Sequence, residues 1–177
     1  MVALFKTMTW EDWTVIKRAA LIGALMFGAA TPGMARELLD WGAVEGWNIM
    51  INPAAGDGCM MERQFEDGTL FQLGAIPAER GGFFAVYNRD WTWIEDGATG
   101  PIHFQFEDKK FGGEAYGKVS GKWYGGFAYF NNPDLAYDFA RKASVTISND
   151  DGQSVVVDLT GSEKALDMVI QCQAEQG

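Results

Sequence analysis

Short runs of alternating apolar and polar residues, separated by turns of acidic residues and glycine, most strongly limit the folds open to this chain. A period of two is typical of half-buried β-strands. It is clearest over residues 47–52, 59–65 and 102–106, and it recurs at 145–148 and 155–159. The 22 glycines among 177 residues suit many turns better than long helices. We therefore expect a mainly antiparallel β structure.

The middle of the chain extends this pattern. Residues 69–76 predict one strand, and residues 83–94 predict another that has Trp91 and Trp93 on one face. Frequent glycines suggest bulges or close backbone contacts within two further strands, around 115–119 and 123–130. The whole chain then holds about eight short strands, as small sandwiches and barrels do.

Two helices are predicted in the last third of the chain. Asn132 followed by Pro133 is a typical helix start, and apolar residues then recur at helical spacing. Ser162 is predicted to cap a final helix with one apolar stripe. The expected fold class is α+β and mostly β: an antiparallel sandwich or partly open barrel with two helices in the C-terminal third. Residues 37–44 are too short to assign and are expected to form a short helix or an irregular lead-in.

The N-terminus has the pattern of a secretory leader. Lys17 and Arg18 precede an apolar run over residues 19–30, and the small residues Gly33 and Ala35 suit cleavage after Ala35. The run is shorter than the about 18 apolar residues that a membrane span needs. We therefore predict a signal peptide over 1–35 and a single β-rich domain over 36–177, located in the periplasm or secreted. A retained membrane anchor is the alternative.

Cys59 and Cys172 are the only cysteines. In an oxidising compartment two cysteines usually form a disulfide bond, which here would join the first clear hairpin to the final helix. Two buried free thiols are the alternative. With one histidine and no Cys-x-x-Cys pair, the sequence predicts no metal site and no cofactor.

Charge and motif content argue against several function classes. The net charge of −10 and the lack of a basic stripe make nucleic acid an unlikely partner. His103 lies on the polar side of its strand, where a surface role is the usual one. No Gly-x-Ser-x-Gly elbow is present. We expect no enzyme activity; a hydrolase that combines carboxylates from several turns is the alternative.

Four aromatic residues give the only indication of binding: Trp91, Trp93, Trp123 and Tyr124. Exposed rings on a sheet form apolar patches for a glycan, a peptide or a partner protein. The alternative, and the commoner use of large aromatic residues, is that they fill the core.

Both ends of the β-rich part resemble the invasion-associated locus B family of small secreted alphaproteobacterial proteins. The similar stretches are 158–162, followed by Ala165-Leu166 and Cys172, and near the start Gly46–Ile49 and Cys59–Arg63. The aromatic middle has no counterpart, and the additional cysteines of the family are lacking. The resemblance implies a periplasmic or envelope β-sandwich without established catalytic residues.

Together these patterns predict a non-catalytic periplasmic or secreted envelope domain that binds a protein partner or a small ligand. The partner is expected to be an envelope protein or a glycan, and a membrane is involved only if the leader is retained. The alternatives are a glycan-binding module, a carboxylate-based hydrolase and a membrane-anchored accessory subunit.

Overall fold

The computed structural model describes residues 37–177 as ten strands and two helices. The predicted signal peptide, residues 1–35, lies outside the described residues. The elements in chain order are β1 (Leu39–Val44), β2 (Trp47–Asn52), β3 (Gly58–Gln64), β4 (Leu70–Ile76), β5 (Gly81–Asn88), β6 (Thr99–Gln105), β7 (Lys110–Ser120), β8 (Trp123–Phe130), α1 (Pro133–Arg141), β9 (Ser144–Asn149), β10 (Ser154–Asp158) and α2 (Ser162–Gln176). Neither helix is long and apolar enough to span a membrane.

All ten strands belong to one antiparallel sheet, in the order β1-β2-β3-β4-β5-β8-β7-β6-β9-β10. The sheet is not closed into a barrel, so β1 and β10 are its two edges. This confirms the predicted class: mostly β and antiparallel, with both helices in the C-terminal third. The sheet has ten strands where about eight were predicted.

The expectation for residues 37–44 is wrong, because they contain strand β1. This strand pairs with β2 through a two-residue turn in which Glu45 and Gly46 both have positive φ, 50° and 84°. Such turns match the twist of a hairpin. A register shift between Asp40 and Gly42 breaks the alternation that would have marked the strand.

Strand β5 is shorter than predicted, because the chain turns at Asn88. The buried Asn88 amide donates to the hydroxyl of Thr69 at 3.1 Å, and its oxygen accepts the backbone N–H of Asp90 at 3.0 Å. Trp91 and Trp93 therefore lie in a loop, and the prediction that they share one face of a strand is wrong. We call residues 89–98 the tryptophan loop.

The core is centred on Phe139 of α1, whose side chain is fully buried. Its ring centroid lies 5.2–5.9 Å from those of four phenylalanines on β4, β5, β6 and just after β6: Phe71, Phe84, Phe104 and Phe106. Aromatic pairs at such distances add specific stabilisation to the burial of apolar area. Helix α1 thus fastens together strands from both halves of the sheet.

The predicted disulfide between Cys59 and Cys172 is present, and both residues are fully buried. The alternative of two free thiols is wrong. The bond fixes α2 to β3, and α2 also packs on β1 and β2.

Ser162 does not cap α2 as predicted. Gly161 occupies the cap position with a φ of 83° and provides no side chain. The buried Ser162 hydroxyl instead donates toward the carbonyl oxygens of Phe139 and Ala140, at 3.2 and 3.1 Å. It therefore ties the start of α2 to the end of α1.

Candidate ligand-binding cleft

A cleft of about 540 Å³ opens beside the tryptophan loop. Its floor is formed by apolar side chains from five strands: Val86, Ile102, Ala115, Ile147 and Val155. Small-molecule sites are commonly concave, largely apolar and of this size. The cleft is therefore a candidate binding site.

Two glycines have different roles in its shape. A Cβ atom at Gly117 would lie 2.3 Å from the carbonyl oxygen of Glu95, so only glycine lets the tryptophan loop approach β7 this closely. A Cβ atom at Gly100 would meet nothing within 4 Å, although Gly100 lines the cleft. Part of the open volume thus results from the missing side chain at position 100.

Trp91 and Trp93 form one wall of the cleft. Their ring centroids are 6.4 Å apart and the rings are tilted by 35°. Trp93 is 50% exposed, and Trp91 is partly buried against the core. A half-exposed indole beside an apolar floor offers a flat surface on which a ligand ring can stack.

The tryptophan loop is fastened to β7 at its far end. The N–H of Gly97 donates to the carbonyl of Gly117 at 2.9 Å, and the N–H of Gly117 donates to that of Ala98 at 2.7 Å. The Asp96 carboxylate accepts the N–H of Val119 at 2.8 Å and lies 3.2 Å from the Lys118 ammonium. The N–H of Val119, and secondarily Lys118, lowers the pKa of Asp96.

We expect this anchor to weaken in acid and in Asp96→Ala. The lowered folded pKa means that the anchor is complete above the ordinary carboxyl value of 3.8 and is lost as the pH falls through the folded pKa. Hydrogen exchange followed by NMR should show faster exchange of the Val119 amide, relative to its intrinsic rate, in Asp96→Ala. Glu95→Ala is the matched control and should leave that amide protected. Equal protection in all three proteins would show that Asp96 does not hold the loop.

The opposite wall is polar and comes from the β9–β10 hairpin. Asn149, Asp151, Gln153 and Ser154 line this side, and Glu95 contributes from the tryptophan loop. No Lys, Arg or His is among the described residues that line the cleft. Its charge is therefore negative, which disfavours anionic ligands. The sequence indicated only a turn at this hairpin, because its approach to the tryptophan loop is a long-range contact.

The four predicted binding residues do not form one site. Trp91 and Trp93 line the cleft, whereas Trp123 and Tyr124 do not. Trp123 packs under the guanidinium of Arg89, 4.7 Å from the ring centroid. Tyr124 is its neighbour on β8 and so points to the other face of the sheet.

A second aromatic group lies around β7 and β8, and of its members Tyr116 also lines the cleft. Tyr116 stacks on Phe127 at 5.5 Å, and Tyr129 approaches the Phe127 ring to 5.3 Å. Tyr129 is 55% exposed. The interpretation that Trp93 fills the core is also wrong, because its side chain is 50% exposed and Trp47 and a set of phenylalanines lie in the core instead.

His103 has the surface role that was predicted. Its Nε2 atom lies 2.8 Å from the Asp150 carboxylate, in an exposed position that does not line the cleft. Within residues 37–177, no three His, Cys, Asp or Glu side chains cluster as they would to hold a metal ion.

The fold is similar to that of a solved structure, invasion associated protein B from Bartonella henselae. The TM-score is 0.53 at 15% sequence identity, and the match covers 78% of this chain and 99% of that one. No protein-family model matches the chain, and no curated protein matches it in sequence. At this identity the comparison shows a distant structural resemblance in fold alone.

Proposed function

We propose that this chain is a non-catalytic envelope domain, located in the periplasm or secreted, that binds a small ligand or a partner's side chains in the cleft beside Trp91 and Trp93. One observation carries the proposal: an open apolar floor stands next to a half-exposed indole pair. A contiguous apolar patch, such as this floor together with the exposed Trp93 ring, commonly marks an interaction site.

Three observations support a location outside the cytoplasm. The buried Cys59–Cys172 disulfide suits an oxidising compartment. The N-terminal residues have the pattern of a cleaved leader. The similarly folded bacterial protein is described as invasion associated, which fits a role at the cell envelope.

The walls of the cleft favour a neutral ligand with one apolar face. An indole stacks on the apolar face of a ring, while the amides of Asn149 and Gln153 are placed to bond hydroxyl or amide groups. The carboxylates of Glu95 and Asp151 repel anions. A glycan is the second candidate, because its rings combine an apolar face with hydroxyl groups.

Two neutral probes test the proposal: N-phenyl-1-naphthylamine for an apolar ligand and triacetylchitotriose for a glycan. Each is titrated into the purified chain while backbone amides are followed by NMR. We expect shifts at Gly100, Gly117 and Ile102 with at least one probe. Gly100→Val fills the open volume, and Trp93→Ala removes the stacking surface, so each should weaken binding about tenfold or more, as the loss of about 1.4 kcal/mol would.

Trp123→Ala is the matched control, since it removes the same side chain outside the cleft and should leave binding unchanged. If neither probe shifts cleft amides, or if Gly100→Val binds as the natural chain does, the cleft is not the site. Mass spectrometry of the incubated chitotriose tests the non-catalytic part, because cleavage would favour the hydrolase alternative. The intact mass of the purified protein shows whether residues 1–35 are removed or retained as an anchor.

A further inference from the structure

The two edges of the sheet differ in how they are protected from pairing with another strand. At β1, a register shift lies between Asp40 and Gly42, and the Trp41 indole donates to Glu175 of α2 at 3.1 Å. Bulges, charges and covering helices are the usual means of blocking an edge. The β1 edge therefore has all three.

Strand β10 has none of these features along its centre. It pairs with β9 in continuous register over Ser154–Asp158, and no Lys or Pro interrupts it. Val156 at its centre is 65% exposed, and it is the most exposed large hydrophobic side chain within residues 37–177. A regular, apolar, exposed edge strand is a template for pairing.

The hydrogen bonds show which backbone groups face outward. The N–H of Asn149 donates to the carbonyl of Gln153 at 3.1 Å, and the N–H of Leu159 donates to that of Ala143 at 2.9 Å. Since the direction alternates along a strand, residues 153, 155, 157 and 159 bond toward β9. The N–H and C=O groups of Ser154, Val156 and Asp158 therefore point away from the sheet.

We infer that β10 pairs antiparallel with β10 of a second copy of this chain, about a two-fold axis at Val156. In this register Val156 meets Val156 of the second copy, and Ser154 meets Asp158. All three are outward-bonding residues, so the pairing forms six backbone hydrogen bonds with none left unmatched. Each Ser154 hydroxyl also lies opposite an Asp158 carboxylate, which accepts hydrogen bonds.

The same register brings complementary charges together. Arg63 donates to the carbonyl of Thr160 at 3.1 Å, so its guanidinium lies at that end of β10. Because the two strands run antiparallel, the acidic turn at Asp150 and Asp151 that precedes β10 in one copy lies toward the end of β10 in the other, where Arg63 lies.

Sedimentation velocity of the purified full-length chain tests this, over concentrations from about 1 to about 200 μM, the range of weak specific association. We expect a concentration-dependent monomer–dimer equilibrium. Val156→Pro removes an outward N–H without breaking a bond to β9, and Val156→Lys adds an edge charge. Each should raise the dissociation constant about tenfold or more, equivalent to about 1.4 kcal/mol.

Thr146→Lys is the matched control. Thr146 lies on the neighbouring strand β9, opposite Val156. A lysine at position 146 therefore adds the same charge to the same face of the sheet but not to its edge. This variant should still dimerise. Amide exchange gives a local readout, because Ser154, Val156 and Asp158 should become more protected as concentration rises.

A chain that stays monomeric over the whole range overturns the inference and leaves β10 free for another partner. A dimer that persists unchanged in Val156→Pro overturns it as well, since the interface then lies elsewhere. Ser154 lies both in this interface and in the wall of the cleft, so the probe titrations are made at a concentration where sedimentation shows the monomer.

Discussion

Replacing both Cys59 and Cys172 with alanine is expected to lower the free energy of unfolding by about 5 kcal/mol. The bond joins residues 113 positions apart, so in the chain-entropy model it strongly restricts the unfolded chain. It also holds α2 against the start of the sheet. Alanine is preferred to serine because both positions are fully buried and a hydroxyl there would lack a partner.

Urea unfolding monitored by circular dichroism measures this effect. If the double variant does not fold, the natural protein unfolded with and without reductant gives the same comparison. A loss below about 1 kcal/mol would show that the constraint on the unfolded chain is offset elsewhere. The folded double variant should keep the same fold, because α2 also packs on β1 and β2 independently of the disulfide bond.

The second large effect is expected for Phe139→Ala, which should destabilise the domain by about 4 kcal/mol. The ring is fully buried among four other phenylalanine rings, and its loss leaves a cavity where the two halves of the sheet meet. Phe139→Leu fills most of that space and should cost about 1–2 kcal/mol. It also keeps the test informative if the alanine variant does not fold.

Tyr137→Ala is the matched control for Phe139. It removes an aromatic ring from the same helix, but Tyr137 is 44% exposed, with the Arg141 guanidinium 5.5 Å from its ring centroid. Its loss should change stability by less than about 1 kcal/mol. Equal losses for the two variants, measured by urea unfolding, would show that α1 contributes through its helix and not through the buried ring.

Sequence patterns predict a strand best when one of its faces is buried and the other is exposed to solvent. Residues 47–52 coincide with β2, since alternation reports which side of a strand is buried. Strand β1 was missed because its bulge interrupts the alternation. The tryptophan loop was taken for strand because aromatic residues at even spacing look alike in both, and only the turn at Asn88 distinguishes them.

Local periodicity, turn chemistry and composition predicted the α+β class, the antiparallel strands, both helices and the cysteine pair, but left open whether the strands form a sandwich or a partly open barrel. Only the tertiary structure shows which aromatic rings are exposed to solvent. It separated Trp91 and Trp93 from Trp123 and Tyr124, and it placed the β9–β10 hairpin opposite the tryptophan loop to form the cleft. It also showed that β10 is an edge strand and β8 is not. These properties depend on the order of strands in the sheet, which is set by contacts between residues far apart in the chain.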